Sequence, residues 1–114
     1  MAKTTETAKN ELLKGTLDML ILRTLTLQPM HGYAISKHIA RLSNDVLAVG
    51  QGSLYPALER LQKRGWVTSR SGTSPTGRNA RYYTITTAGR RQLGDQVSSF
   101  DRMLLAIHRV MRGA

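Results

Sequence analysis

The sequence has no cysteine, few acidic residues and no long uninterrupted apolar run. Without cysteine, its 114 residues can form neither disulfides nor thiolate metal sites, which fits a cytoplasmic protein. The most apolar stretch, residues 12–27, is interrupted by Lys14, Asp18 and Arg23, so no membrane span is expected. No secretory signal is recognised at the N-terminus. We therefore expect a cytoplasmic location.

Clusters of catalytic or metal-binding residues are also lacking. The three histidines, His31, His38 and His108, do not have the spacing of a zinc site. The sequence shows no glycine-rich phosphate loop and no Ser-His-Asp set, and its seven acidic residues offer few groups for general acid–base catalysis. We therefore expect neither an enzyme nor a bound metal or cofactor.

The charge balance is strongly basic, because 17 Lys and Arg against 7 Asp and Glu give a formal net charge of +10. A positive field attracts polyanions, among which nucleic acid is the commonest and an anionic membrane surface the next. A merely soluble basic surface is the alternative that charge alone leaves open. The excess is local, since residues 60–91 contain no acidic residue and eight basic ones: Arg60, Lys63, Arg64, Arg70, Arg78, Arg81, Arg90 and Arg91.

The spacing of apolar residues predicts helices in the first half of the chain. After a polar, flexible tail over residues 1–9, a first helix is expected over residues 10–27. A second helix is expected over residues 32–42, with Leu42 facing inward, and residues 43–45 have the chemistry of a turn.

A third helix is predicted to begin near Ser53, whose hydroxyl is suited to accept from an early backbone N–H as the N-cap. Pro56 would then lie in the first turn, where its missing N–H costs nothing. Leucines at helical spacing form the apolar face. Gly65 is suited to the left-handed position that ends a helix.

Two short extended segments follow, over residues 66–70 and 80–85, and both are rich in aromatic and β-branched side chains. Residues 71–79 between them are small, polar and basic. This pattern predicts a β-hairpin with a long, mobile turn that carries Arg78 and Arg81 near its tip.

The last predicted helix runs from Thr86 or Thr87 to Met111 and would be nearly 40 Å long. Its apolar residues alternate by four and three, as in a coiled coil. We expect this seam to pair with a second copy, joined by residues 12–20 of the partner, because a small domain cannot bury it; packing within one chain is the alternative. The seam residues are Leu93, Val97, Phe100, Leu104, Ile107 and Met111.

Three helices, a hairpin and a long helix are the order of a winged helix-turn-helix domain with a C-terminal dimerisation helix. The expected fold is α+β, mainly α, with residues 10–86 as the DNA-binding domain and residues 87–114 as the dimerisation helix. In this fold the third helix enters the major groove and the hairpin, or wing, follows the adjacent backbone. The expected DNA contacts are Tyr33, Lys37, Gln51, Gly52, Ser53, Tyr55, Pro56, Arg60, Lys63, Gly77, Arg78 and Arg81.

Recognition helices usually reach base edges with their N-terminal end. There, Gln51 can pair with adenine and Ser53 with several bases, and free backbone N–H groups can bind a phosphate. Arg78 and Arg81 of the wing are expected to contact phosphates or to enter the minor groove. An ordinary solvated helix face and solvated loop arginines are the alternatives.

Four segments of the chain, taken together and in this order, resemble the PadR family of bacterial transcriptional regulators. They are HGY at 31–33, GSLYPALERL at 52–61, RGW at 64–66 and RYYTITTAG at 81–89. The resemblance covers about residues 12–111 and is to the short subfamily with a single C-terminal helix. It implies a homodimer that binds a palindromic, inverted-repeat operator in double-stranded DNA, usually as a repressor.

The resemblance also implies an effector pocket. In some short members a flat apolar pocket between the C-terminal helices binds planar drugs, which stack on a tryptophan. Phe100 occupies the matching position here, and it lacks the indole donor and has a smaller face. Phe100 and Met103 would line such a pocket for a planar apolar effector, while simple packing of Phe100 in the seam is the alternative.

Two other functions remain open. The chain could be a small-molecule sensor or adaptor that has lost DNA binding and interacts through the C-terminal seam. It could also bind DNA or RNA without sequence preference. The basic stretch disfavours the first, and a preferred binding site would exclude the second.

Overall fold

The computed structural model describes residues 16–113, so the expected tail and the start of the first helix lie outside the described residues. The fold is α+β and mainly helical. Its elements, in chain order, are α1 (described over 16–25), β1 (Met30–His31), α2 (Gly32–Leu42), α3 (Gln51–Lys63), β2 (Val67–Thr73), β3 (Asn79–Ile85) and α4 (Thr87–Met111).

The three strands form one antiparallel sheet in the order β1-β3-β2. The hairpin of β2 and β3 runs in register from the pair Val67 and Ile85 to the pair Thr73 and Asn79. On the other edge of β3, the two residues of β1 pair with Tyr82 and Tyr83. Because β1 leads directly into α2, the base of the hairpin is attached to the start of α2.

The core lies where α1, α2 and α3 meet the base of the sheet, and apolar residues at helical spacing supply it. Leu42 is an exception to the predicted pattern, because it is 69% exposed. It is the last residue of α2, and the chain turns away there through Asn44 and Asp45, both with positive φ. The fully buried large side chains are Ile21, Leu22, Ile35, Leu54, Leu58, Leu61 and Val67.

The first helix ends earlier than predicted, at residue 25 instead of 27. The N–H groups of Thr26 and Leu27 donate to carbonyls three residues back, at 3.2 Å each, and so form a turn that closes the helix.

The predicted start of α3 is wrong by two residues. The helix begins at Gln51 with Gly50 as N-cap, and no side chain caps it. Ser53 lies within the first turn, and its N–H and that of Leu54 both donate to the Gly50 carbonyl, at 3.1 and 3.0 Å. This shift places Pro56 inside the helix, beyond the first turn, where no N–H is available for the Gly52 carbonyl.

The predicted end of α3 is confirmed. Gly65 has a φ of +77°, its N–H donates to the Gln62 carbonyl at 3.0 Å, and the Trp66 N–H donates to the Leu61 carbonyl at 3.0 Å. This pair of bonds is the Schellman arrangement, which a glycine adopts without strain.

The wing has longer strands and a shorter turn than predicted. The strands extend to Thr73 and from Asn79, which leaves residues 74–78 as the tip. The Ser74 N–H donates to the Arg78 carbonyl at 2.8 Å, and the Gly77 N–H donates to the Ser74 carbonyl at 2.8 Å. Gly77 has a φ of +85°, as the left-handed position of a three-residue hairpin loop requires.

The helix α4 has the predicted bounds and extends away from the core. Its N-cap is Thr86, whose Oγ1 accepts from the Gly89 N–H at 3.0 Å. Leu93 is the last seam residue that is buried. The following seam residues lie open in the single chain: Val97 is 39% exposed, Leu104 37%, Ile107 47% and Met111 77%, with Phe100 partly buried.

Candidate nucleic-acid interface

The face of α3 that points away from the core is open along its whole length. Its first turn has no side-chain cap, so the first backbone N–H groups are available to an anion. In addition, Pro56 leaves the Gly52 carbonyl without its usual donor. The exposed residues of this face are Gly52, Pro56, Glu59 and Lys63, with Gln51 and Ser53 at the helix start.

One flank of α3 is attached to α1 by an ion pair. The Nη2 atom of Arg60 donates to Oδ1 of Asp18 at 2.7 Å, and the two side chains are 51% and 27% exposed. The structure thus gives Arg60, predicted to contact DNA, a partner inside the chain. Lys63 lies 3.8 Å from the Glu59 carboxylate, an exposed pair one turn apart that holds the lysine only weakly.

The other flank of α3 packs on the start of α2 through Tyr55. A Cβ atom at Gly32 would lie 2.7 Å from the Tyr55 hydroxyl oxygen, so this contact requires glycine. Tyr55 nevertheless remains 43% exposed. The glycine of the HGY segment therefore leaves room for the Tyr55 ring of α3 against the start of α2.

The first turn of α2 presents an aromatic and a cationic side chain. Its N-cap is His31, whose Nδ1 accepts from the Ala34 N–H at 3.2 Å. Tyr33 is 60% exposed, and Nζ of Lys37 lies 5.7 Å from its ring centroid. Among the described residues, neither Lys37 nor Arg78 forms an ion pair, so both charges are available to a partner.

An open cleft of about 820 Å³ lies between the first turn of α2, Tyr55 and the tip of the wing. The structure brings four of the predicted DNA contacts together there: Tyr33 and Tyr55 on one side, Arg78 and Arg81 on the other. The remaining predicted contacts lie outside it, on the exposed face of α3, on α2 and at Gly77. Sequence reasoning missed the polar wing residues of the cleft, Ser74, Thr76 and Asn79, and also His31, although their position next to Arg78 and Tyr33 was a usable signal.

Arg81 is oriented by a short chain of hydrogen bonds that ends on α3. Its Nη1 donates to Oγ of Ser69 at 3.0 Å, and that hydroxyl donates to Oε1 of Gln62 at 3.1 Å. Sequence reasoning gave Gln62 and Ser69 no role, because nothing in their spacing indicates that the wing and α3 meet there.

Tyr83 lies beneath this region, and its pKa supports a pH prediction. Burial raises the pKa of the phenol above its ordinary value of 10.0; Tyr55 adds to the effect, Arg81 opposes it and Glu59 adds to it. The folded state therefore favours the neutral phenol, and this stabilisation is complete below pH 10.0 and is lost as pH rises through the raised pKa. Urea unfolding of Tyr83→Phe should show a smaller alkaline loss of stability than wild type. An equal loss in both proteins would contradict the assignment.

A second cavity, of about 330 Å³, lies between α1 and α4. Phe100 and Met103, the two residues expected to bind an effector, both line it. Gln96 also lines it, and its buried Oε1 accepts no hydrogen bond from the described residues. The other lining residues are Thr16, Met19, Gln92, Asp95 and Ser99.

Residues 16–113 hold no group of three or more acidic or histidine side chains arranged for a metal ion. Within the same residues, no helix has the length and apolar character needed to cross a membrane.

Comparison with known proteins connects this geometry to a family. The model of the transcriptional regulator PadR-like family matches residues 21–95. A PadR family transcriptional regulator from Eggerthella lenta DSM 2243 superposes with a TM-score of 0.82 at 25% identity, over 96% of this chain and 94% of that one. A PadR-like transcriptional regulator from Bacillus cereus strain ATCC 14579 gives 0.77 at 28% identity, over 91% and 99%. Protein X of Lysinibacillus sphaericus is 28% identical over 92% of this chain and 96% of its own length.

Proposed function

Since the chain belongs to the PadR-like family of transcriptional regulators, we propose that it represses transcription by binding a palindromic operator as a homodimer. Members of this family are regulators and not enzymes. The family implies DNA as the partner; the palindrome, the dimer and the repressor role are the added parts of the proposal.

The observation that carries the proposal is the cleft between α2, Tyr55 and the wing. It has exposed aromatic side chains on one side and the cations of Arg78 and Arg81 on the other, beside the uncapped start of α3. A sugar-phosphate strand matches this chemistry, because it offers phosphates to the arginines while α3 lies in the neighbouring major groove. In this arrangement Gln51 and Ser53 face the bases.

The open seam of α4 supports the dimer. Four of its apolar residues beyond Leu93 are more than a third exposed in the single chain, which is costly over such a length. A two-fold partner would cover them and would hold two α3 helices for two half-sites, about 34 Å apart on DNA.

We further propose that the cavity between α1 and α4 receives a planar apolar effector. Phe100 and Met103 supply apolar surface there, and Gln96 Oε1 supplies an acceptor for a donor group of the ligand. A buried oxygen without a hydrogen bond is destabilising, so a ligand that donates to Gln96 Oε1 would remove this cost.

Footprinting on the DNA upstream of the gene tests the proposal. We expect protection of an inverted repeat and a marked preference for that repeat over a scrambled duplex at the same salt concentration. Equal affinity for both duplexes would contradict operator recognition and would indicate general nucleic-acid binding. Absence of binding to either would indicate the adaptor function.

Substitutions in the wing and in α3 should have different effects. Arg78→Ala should weaken binding to all duplexes and reduce the slope of log Kd against log salt by about two, because the homodimer loses one phosphate contact in each subunit. Gln51→Ala should leave this slope unchanged and weaken the preferred site, relative to a scrambled one, by about 1–3 kcal/mol for each half-site. Gel-shift titrations at three salt concentrations measure both effects. If the two substitutions gave the same profile, the assignment of roles would be wrong.

A further inference from the structure

The wing is held from both faces of its hairpin. Successive side chains of a strand point to opposite faces, so Arg81 and Tyr82 lie on different sides of β3. On one side, Arg81 joins Ser69 and, through it, Gln62 of α3. On the other side, Tyr82 forms a separate set of contacts. An isolated two-stranded hairpin is only marginally stable, so contacts of this kind are needed to fix the orientation of the wing.

Tyr82 lies across the backbone of β2. Its hydroxyl donates to the carbonyl of Thr73 at 2.9 Å. A Cβ atom at Gly72 would lie 2.8 Å from Cδ1 and 2.9 Å from Cε1 of the Tyr82 ring, so only glycine permits this approach. Thr73 is the last residue of β2, directly before the tip of the wing. The hydroxyl of Tyr82 therefore fixes the point from which the tip extends.

The same ring also contacts the start of α2. Tyr82 is paired with His31 in the sheet, and their ring centroids lie 5.4 Å apart at an interplanar angle of 79°. His31 is in turn fixed as the N-cap of α2. A continuous set of contacts thus runs from α2 through His31 and Tyr82 to the tip that carries Arg78.

We infer that Tyr82 is a positioning residue for DNA binding: held between His31 and Gly72, it sets the angle at which the wing presents Arg78. The inference rests on the proposed function, because the presented cation is assigned there to a phosphate. It assigns Tyr82 no DNA contact of its own.

A double-mutant cycle tests this role. Tyr82→Leu should weaken binding to the operator and to a scrambled duplex alike, by about a hundredfold, because the homodimer loses one charge-assisted contact, worth about tenfold, in each subunit. In the Arg78→Ala background the same substitution should cost less than about twofold, because the cation that Tyr82 positions is already absent. Equal losses in both backgrounds would overturn the inference. A changed sequence preference would overturn it too, since it would indicate that Tyr82 contacts bases.

Two further variants test whether the effect depends on the contacts of the Tyr82 ring. Thr84→Ala alters an exposed residue on the same face of β3 and should leave the Kd unchanged. His31→Asn keeps a side-chain acceptor for the Ala34 N–H but removes the ring, and should weaken binding by about threefold. A wild-type Kd for His31→Asn would show that the ring contact has no part in the effect.

Hydrogen exchange gives a reading that does not require DNA. Tyr82→Leu should increase the exchange rates of the tip amides of Ser74 and Gly77 by about tenfold, while the α3 amides keep their protection. If the wild type proved to have no preferred operator, the proposed function would fail, and this measurement would still decide whether Tyr82 holds the wing. Unchanged exchange at the tip would overturn the inference on its own.

Discussion

Replacement of Gly89 by alanine is expected to lower the free energy of unfolding by about 3 kcal/mol or more. A Cβ atom at this position would overlap the carbonyl oxygen of Trp66 and would lie 2.9 Å from Cγ1 of Ile85. The backbone oxygen has no room to yield, because it also accepts from the Thr86 N–H at 3.0 Å. The whole start of α4 would have to move away from the turn that follows α3.

Movement of α4 would break further contacts. The Thr86 hydroxyl donates to the Gly65 carbonyl at 2.7 Å while its oxygen accepts from the Gly89 N–H. These bonds join the last helix to the end of α3, close to the base of the wing. Gly89→Ala should therefore reduce operator binding as well as stability.

Gly94→Ala is the matched control for this substitution. Gly94 lies in the same helix and is exposed, and a Cβ atom there would meet no other atom within 4 Å. Alanine is favoured over glycine in a helix, so this variant should gain up to about 1 kcal/mol. Urea unfolding followed by circular dichroism measures both variants. If Gly89→Ala were as stable as wild type, the close approach of α4 to Trp66 would be wrong.

The regular parts of this fold could be predicted from the sequence. The heptad spacing and Thr86 gave α4 its observed bounds, and Gly65 gave the end of α3. These features are local, because a cap or a left-handed residue determines its own few neighbours. The mixed α+β class followed from the order of such local patterns.

The parts that the sequence did not predict depend on contacts between distant residues. The pairing of Arg60 with Asp18 spans 42 positions, and no spacing indicates it. The length of the wing was underestimated because Ser71 to Thr73 have turn-like composition, yet pairing with β3 holds them in a strand. The start of α3 was misplaced because backbone bonds to Gly50, and not a side-chain cap, begin the helix.

The candidate site shows the same division. Arg78 and Arg81 were identified by their charge and by their place near the hairpin tip. The place of Tyr55 in this group depends on Gly32, whose missing side chain leaves room for the tyrosine ring. A sequence can suggest that such a glycine matters, but not which ring lies against it.

Ile107→Glu is expected to have the largest effect on operator binding, a loss of two or more orders of magnitude. Ile107 is 47% exposed in the single chain and stands between Leu104 and Met111 on the open seam of α4. In the proposed dimer this position is covered, and each subunit would bury one carboxylate without a cation. That penalty amounts to several kcal/mol for each charge. We expect sedimentation to show a monomer at micromolar concentration.

Leu105→Glu provides the control that the seam requires. Leu105 is 53% exposed, comparable to Ile107, but at about 100° per residue it lies well outside the seam. The same charge placed there should leave the dimer and the Kd for the operator unchanged. If Ile107→Glu and Leu105→Glu both remained dimeric, another surface would join the subunits. If both were monomeric, the whole of α4 would be sensitive to charge, and the seam would not be singled out.

The loss of operator affinity follows from how two weak contacts combine. In a dimer, binding of the first half-site holds the second reading helix close to its own half-site, so that its binding is effectively intramolecular. Such coupling strengthens binding by about 10²–10⁴ over one module alone. A folded Ile107→Glu monomer should therefore bind a full operator and an isolated half-site with nearly the same affinity. A monomer that still preferred the full operator would show that the subunits meet on DNA without the seam.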